Sequence, residues 1–329
     1  MERWKQQWTE LLPKRVSEVL ERIGEETKLL EIRLRRDAPL ELVYDGADRI
    51  VFDNNGKPMI TDSELKSLTA RLMEYSAYAW ENERRDGFIT VGGCRVGLSG
   101  RMIRAEGNVL GFSSISGVCI RIVREVADCS KPLLPYLTNG DRFLSALLVS
   151  PPGCGKTTLL RDLIRINSNG LYGVRASRVG AADERFELSG DTGGAAVFDL
   201  GMRTDVISGI SKADAAVRIV STLSPQILAM DELNNKQDVE ALLDARGKGV
   251  TILATAHGGS PEDLRLRPSL RMLLCERAFD RIVILHGLGR LKAVIDADGN
   301  RVDAGTELRR SDLRCCLRCA ARSGFGSAP

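Results

Sequence analysis

No stretch of the 329-residue sequence approaches the ~18 uncharged apolar residues that cross a bilayer as a helix. The opening Met1-Glu-Arg-Trp-Lys-Gln-Gln-Trp8 lacks the apolar core of an export signal, so a cytoplasmic protein is expected, free or peripheral on the cytoplasmic face of a membrane. Neither sign of charge dominates. With 47 basic residues against 44 acidic ones, the net charge of +3 does not by itself imply a nucleic-acid or lipid partner. Histidine is nearly absent, with two in the chain, and no repeat of solenoid period is visible. The eight cysteines are scattered and follow no export signal, which favours reduced thiols over a disulfide framework. Cys315, Cys316 and Cys319 cluster near the end, but no neighbouring Cys/His pair completes four zinc ligands. What remains is 43% hydrophobic and 28% charged residues, an ordinary globular balance in a chain long enough for two or three domains.

Residues 1–128 read as an N-terminal α/β domain. A helical opening over Glu2 to Ile23 precedes strand-like runs at Leu29 to Leu34 and Leu40 to Tyr44. Thr61 or Asp62 caps a helix carrying Leu65, Leu68, Leu72 and Tyr75 at helical spacing. Gly87 to Leu98 and Ser116 to Val123 suggest hairpins packed against the following domain. Pro132 and Pro135 mark 129–140 as a linker, and 141–308 alternates short apolar runs with helical stretches, the pattern of a parallel sheet with crossovers. The expected strands are Ala146 to Val149, Val179 to Ala182, Ile227 to Met230, Val250 to Ala254 and Arg281 to Leu285; residues 309–329 form a Cys- and Arg-rich tail.

The first of these core strands runs into Ser150, Pro151, Pro152, Gly153, Cys154, Gly155, Lys156, Thr157 and Thr158, followed by a helix-like stretch from Leu159 to Ile166. Strand, glycine-bearing loop and helix in this order form a phosphate-binding loop, so ATP is the expected ligand. The glycines let backbone N–H groups turn inward, and the helix adds its unsatisfied N-terminal donors. Lys156 would reach the β/γ-phosphates, Thr157 would coordinate Mg²⁺, and Thr158 would lie beside the α/β-phosphates. Ser150 stands where the motif has glycine, a substitution between small residues.

Gln226-Ile-Leu-Ala-Met-Asp231-Glu232 is an apolar strand ending in two acids. Asp231 would hold the Mg²⁺ shell and Glu232 would polarise the attacking water. After one more helix, Asp238 to Ala245, comes Val250-Thr-Ile-Leu-Ala-Thr-Ala-His257, whose strand is expected beside the phosphate-loop strand. Thr255 or His257 at its polar end would sense the γ-phosphate. Glu184 follows another core strand and would help position water or Mg²⁺. Arg203 or Arg185 would stabilise charge on a neighbouring subunit's nucleotide, with Arg95, Arg101 and Arg104 competing for that role.

These motifs, in this order, resemble the stage III sporulation protein AA family of endospore-forming bacteria, itself similar to type II/IV secretion and pilus traffic ATPases. The matching pieces are Glu31-Ile-Arg-Leu-Arg, Gly87-Phe-Ile-Thr, Gly92-Gly-Cys-Arg-Val-Gly-Leu, Ser150 through Asp162, Asp183-Glu-Arg, Arg203-Thr-Asp-Val, Asp231-Glu232 and Ala254-Thr-Ala-His-Gly258. Cys94 replaces the family's usual His, and Leu233-Asn-Asn replaces Ile-Gly-Arg. The resemblance implies an α/β fold with a P-loop NTPase core of the RecA-like, additional-strand catalytic-Glu type and a smaller N-terminal α/β domain. It further implies an ATPase working as a hexameric ring at the base of a secretion-like channel between mother cell and forespore, with membrane channel proteins as partners. Two alternatives stand beside it: a nucleotide-gated structural subunit, and a nucleic-acid-binding ATPase of recombinase or helicase type. The second draws on Arg33, Arg35, Arg36 and the arginines at 309, 310, 314, 318 and 322, although such runs are more often solvated.

Overall fold

A computed structural model describes residues 8–23, 29–44, 47–53, 55–57, 59–75, 87–91, 94–105, 108–123, 125–190, 197–286 and 290–302. Two compact units divide the chain, one of Met1–Arg124 with Gly190–Val197 and the other of Glu125–Ser189 with Phe198–Pro329. Cys315, Cys316, Cys319 and the arginines beyond 308 lie outside the described residues, as do Gly92 and Gly93.

In the first unit, strands β1 (Leu29–Arg35), β2 (Leu40–Tyr44), β3 (Ala47–Val51), β4 (Phe88–Val91), β5 (Cys94–Ala105) and β6 (Asn108–Arg121) form an antiparallel sheet in the order β3-β2-β1-β6-β5-β4. Alternation decides its faces. Ile32, Leu34, Leu40, Leu42, Val96, Val118 and Ile120 pack with Val16, Val19 and Leu20 of α1 (Lys14–Ile23) and with Leu65, Leu68 and Leu72 of α2 (Asp62–Tyr75). Cys94 lies in this core, fully buried, and burial pushes its thiol pKa up. The opposite-facing residues of β1 are charged and mutually paired: Arg33 with Glu31 at 2.7 Å, and Arg121 of β6 with the same carboxylate at 3.1 Å.

The second unit holds a seven-stranded sheet of β9 (Ala146–Ser150), β10 (Val179–Asp183), β11 (Thr204–Ser208), β12 (Ile227–Met230), β13 (Thr251–His257), β14 (Arg281–Leu285) and β15 (Leu291–Asp296), in the order β11-β10-β12-β13-β9-β14-β15. Every neighbouring pair is parallel except β14 with β15. This is the mostly parallel, helix-flanked sheet of a RecA-like P-loop core. One strand, β13, stands between the strand that leads into the glycine loop and the strand that ends at Asp231. β9, β10 and β12 are fully buried, which is why they read as continuous apolar runs. Flanking helices are α4 (Lys156–Asn169), α5 (Lys212–Thr222), α6 (Lys236–Gly247), α7 (Pro261–Leu266) and α8 (Pro268–Cys275).

Residues 129–140 do not behave as a free linker. Cys129, Leu133, Leu134 and Leu137 are buried in the core of the second unit, and the stretch contains a 3₁₀ turn (Lys131–Leu133), the short helix α3 (Leu134–Leu137) and half of a small hairpin, β7 (Thr138–Asn139) with β8 (Arg142–Phe143). Its two prolines occupy first-turn positions, where the missing N–H costs nothing. β13 runs three residues past the expected Ala254, because Thr255, Ala256 and His257 pair with Leu148, Val149 and Ser150.

Candidate functional site

All the acids and donors singled out around the loop lie at the carboxyl ends of β9, β10, β12 and β13, where open parallel sheets place their ligand crevice. Gly153 and Gly155 have φ of 73° and 83°, a left-handed backbone that glycine adopts without steric cost. Gly155 caps α4, so the N–H groups of the first helical turn point toward the loop. At its far end the helix stops at Gly170, φ 68°, where a Cβ would come within 2.8 Å of Ala176. Pro151, Pro152 and Gly153 are exposed; Ser150 and Cys154 are buried fillers, and Thr158 is half-buried on α4.

Lys156 is buried beneath this loop. Its ammonium donates to the carbonyls of Ser150 (3.0 Å) and Pro151 (3.1 Å) and contacts the Ser150 hydroxyl and His257 Nδ1, each at 3.1 Å. Burial pulls its pKa below the ordinary lysine value, and the Asp231 and Glu232 charges offset part of that. A protonated lysine makes His257 Nδ1 the acceptor, so the ring proton sits on Nε2, which faces Glu232 Oε1 at 3.4 Å.

Thr157 Oγ1 donates to Asp231 Oδ2 at 2.7 Å. The other Asp231 oxygen accepts from the hydroxyl of Thr255, and that hydroxyl in turn accepts from the Glu232 N–H at 2.7 Å. Glu232 has φ of 53°, an unusual backbone for a residue with a side chain. Its turn is fixed on three sides: the N–H by Thr255, the carbonyl by Lys212 Nζ at 2.9 Å, and the carboxylate by Asn234 Nδ2 at 3.3 Å. Asn235, which stands where the family usually has a basic residue, caps α6, its side chain accepting from the Asp238 N–H at 2.8 Å.

Glu184 follows β10 and pairs with Lys212 at 3.3 Å, so one ammonium holds both the Glu184 carboxylate and the backbone carbonyl of Glu232. The loop beyond is held by buried Asp183, which accepts from Leu188 N (3.1 Å), Ser189 N (2.8 Å) and Ser189 Oγ (2.7 Å). Burial raises the Asp183 pKa against these hydrogen bonds. Arg161 of α4 is also buried; it donates to the Glu187 carbonyl at 3.1 Å and lies 4.2 Å over the Phe198 ring. The next residue, Asp162, accepts from Asp128 N (2.9 Å), Ser130 N (2.8 Å) and Ser130 Oγ (2.6 Å), and is paired with Arg165.

The structure thus brings together Lys156, Thr157, Glu184, Asp231, Glu232, Thr255 and His257. Arg185 lies on the exposed rim of the same crevice. Arg203 does not join the cluster: its guanidinium donates to the Ser168 carbonyl at 3.0 Å, near the far end of α4. Arg95, Arg101 and Arg104 belong to the first unit, with Arg95 stacked 3.9 Å over Phe88. Sequence reasoning missed Lys212, whose only local signal is a cation in the first turn of a helix, against the helix dipole.

The profile of the family described as sporulation stage III, protein AA matches residues 2–302. Stage III sporulation protein AA of Bacillus subtilis (strain 168) is 37% identical over 306 residues, covering 91% of this chain and 98% of that protein. The uncharacterized protein ycf45 of Cyanidium caldarium is 27% identical over 165 residues, half of this chain. Among solved structures, the Legionella pneumophila ATPase DotB matches with a TM-score of 0.56 at 15% identity, covering 94% of this chain and 87% of its own. The pilus retraction motor PilT with bound ADP matches at 0.54 and 16% identity, covering 92% and 87%. At those identities the likeness concerns the fold.

Proposed function

The chain belongs to the sporulation stage III, protein AA family, and from that premise we propose that it is an ATP hydrolase powering a secretion-like assembly during endospore formation. The observation that carries the reading is the linkage Thr157–Asp231–Thr255–Glu232, which joins the glycine loop, the acid pair and the neighbouring strand in one hydrogen-bonded chain. Thr157 and Asp231 offer the hard oxygen donors that Mg²⁺ takes, and they would hold it. When bound, Mg²⁺ neutralises charge on the β- and γ-phosphates.

On ATP binding, Lys156 exchanges its loop carbonyls for phosphate oxygens, and the α4 N–H groups complete the cradle. Glu232 orients a water toward the γ-phosphorus and accepts its proton as the bond to the ADP oxygen breaks; Glu184 steadies the water from β10. The exchange at Lys156 also releases His257 Nδ1, so the histidine reports the γ-phosphate to Glu232. Arginine supplied by a neighbouring copy, from Arg203 or Arg185, fits a ring, for which six subunits and membrane channel partners are the reading the family supports. Among the described residues no helix is long and apolar enough to cross a membrane.

A nucleic-acid ATPase is disfavoured by one observation: Arg33, Arg35 and Arg36 are paired with Glu31, Glu41 and Asp62. The deciding experiment is ATP hydrolysis by wild type and Glu232→Gln across a protein-concentration series, with light scattering on the same samples and DNA added in parallel. Turnover that tracks assembly, vanishes in the variant while ATP stays bound, and ignores DNA supports the proposal. Full turnover in Glu232→Gln, or stimulation by DNA, overturns it.

A further inference from the structure

We propose that Lys212 is a positioning residue for ATP hydrolysis, its single buried ammonium setting the Glu184 carboxylate and the Glu232 turn in one arrangement. The inference rests on the hydrolase reading and extends it to a residue outside the recognised motifs. Lys212 is 7% exposed and is the first residue of α5, following the cap Ser211. A cation there opposes the helix dipole, and burial opposes any cation, so its location is stabilised by what it touches. Three elements supply the partners: the Glu232 carbonyl after β12 (2.9 Å), Glu184 after β10 (3.3 Å) and Asp238 in the first turn of α6 (3.7 Å).

Each contact bears on a different part of the site. The bond to the Glu232 carbonyl, together with that from the Glu232 N–H to Thr255, holds a peptide whose φ of 53° is unfavourable for a side-chain-bearing residue. The pair with Glu184 brings that carboxylate to the ammonium that holds the Glu232 carbonyl, so the residues following two neighbouring strands are tied to one side chain. Asp238 is 1% exposed and accepts from the Asn234 N–H at 3.2 Å, so its pairing with Lys212 also anchors the turn that follows Glu232. Lys212 touches no reacting atom in this arrangement; it acts through the two glutamates.

Lys212→Met alone leaves Asp238 charged, buried and unpaired, which threatens folding. The informative background is therefore Asp238→Asn, in which Lys212→Met removes the ammonium without stranding a charge. In that background, binding of a non-hydrolysable ATP analogue should stay at the level of the parent. Loss of positioning should lower kcat by about tenfold to a hundredfold at unchanged KM, and Lys212→Arg should recover part of the loss. Adding Glu184→Gln to Lys212→Met should cost less than Glu184→Gln costs alone, because both remove the same arrangement. A kcat within about twofold of the parent, losses that simply multiply, or analogue binding that falls together with kcat would each overturn the proposal. Wild-type protein without turnover sinks the hydrolase reading and this one with it; wild-type turnover with an unaffected Lys212→Met sinks this one alone.

Discussion

Replacing Thr255 by valine keeps the shape of a fully buried side chain and deletes one hydroxyl that serves two partners. The hydroxyl donates to Asp231 and accepts from the Glu232 N–H, so valine orphans a buried donor and removes one of the two hydroxyls on the Asp231 carboxylate. An orphaned buried donor costs about 1–3 kcal/mol and a lost bond to a charged group about 1.5–3, so about 2.5–6 kcal/mol of local stability should disappear. The cost falls on the Glu232 turn, whose backbone is already left-handed at φ 53°. Hydrogen exchange read by mass spectrometry on a peptide spanning 227–234 measures it directly. With a factor of ten for each ~1.4 kcal/mol, the Glu232 amide should exchange at least ~60-fold faster in Thr255→Val. Thr255→Ser, which keeps the hydroxyl, should stay near wild type. An amide exchanging within about threefold of wild type in Thr255→Val would refute the clamp, since its loss would then be worth less than ~0.7 kcal/mol.

Two further outcomes follow from packing and charge. Gly180, in the middle of β10, would place a Cβ 2.1 Å from Ile219 Cγ2 of α5; Gly180→Ala should destabilise the second unit by about 1–3 kcal/mol, visible as a lower urea midpoint, and an unchanged midpoint would mean that α5 gives way freely. Burial alone would raise the pKa of Glu64, but hydrogen bonds from Arg15 and Thr61 outweigh it and hold the carboxylate below its ordinary 4.5. A depressed carboxylate contributes stability that is present above pH 4.5 and lost as pH falls through the lowered value. The gap in stability between wild type and Glu64→Gln should therefore be full at pH 7 and close in acid. Tryptophan fluorescence reads it, because Trp4, Trp8 and Trp80 all precede the second unit; a gap that persists unchanged to pH 3 would contradict the assignment.

Five of the seven strands of the second unit were legible because burial leaves an apolar signature, and the glycine loop because its spacing is set by backbone geometry; β11 and β15, half-buried at the two edges of the sheet, carry no such signature and were not foreseen. The end of β13 was less so: the apolar run stops at Ala254, and the strand continues through Thr255 and His257 by pairing with β9. Pro132 and Pro135 look the same in sequence whether they begin helical turns or mark a linker, and only burial of the neighbouring leucines separates the two. Asn235 could be seen to differ from the family, yet its capping role depends on where α6 begins. Lys212 was out of reach, since its partners lie 20 or more residues away along the chain and meet only in the folded sheet.

Arg161 and Asp162 are neighbours on α4, about 100° apart around its axis. One grips the carbonyl of Glu187 in the loop that carries Glu184; the other grips the backbone of 128–130, by which the chain enters the sheet. Under the proposed function the first turn of α4 meets phosphate, and the same helix is held on two sides, like a camshaft with two followers. Any roll or slide of α4 would therefore load two contacts at once, the Glu187 loop on one side and the backbone of 128–130 on the other.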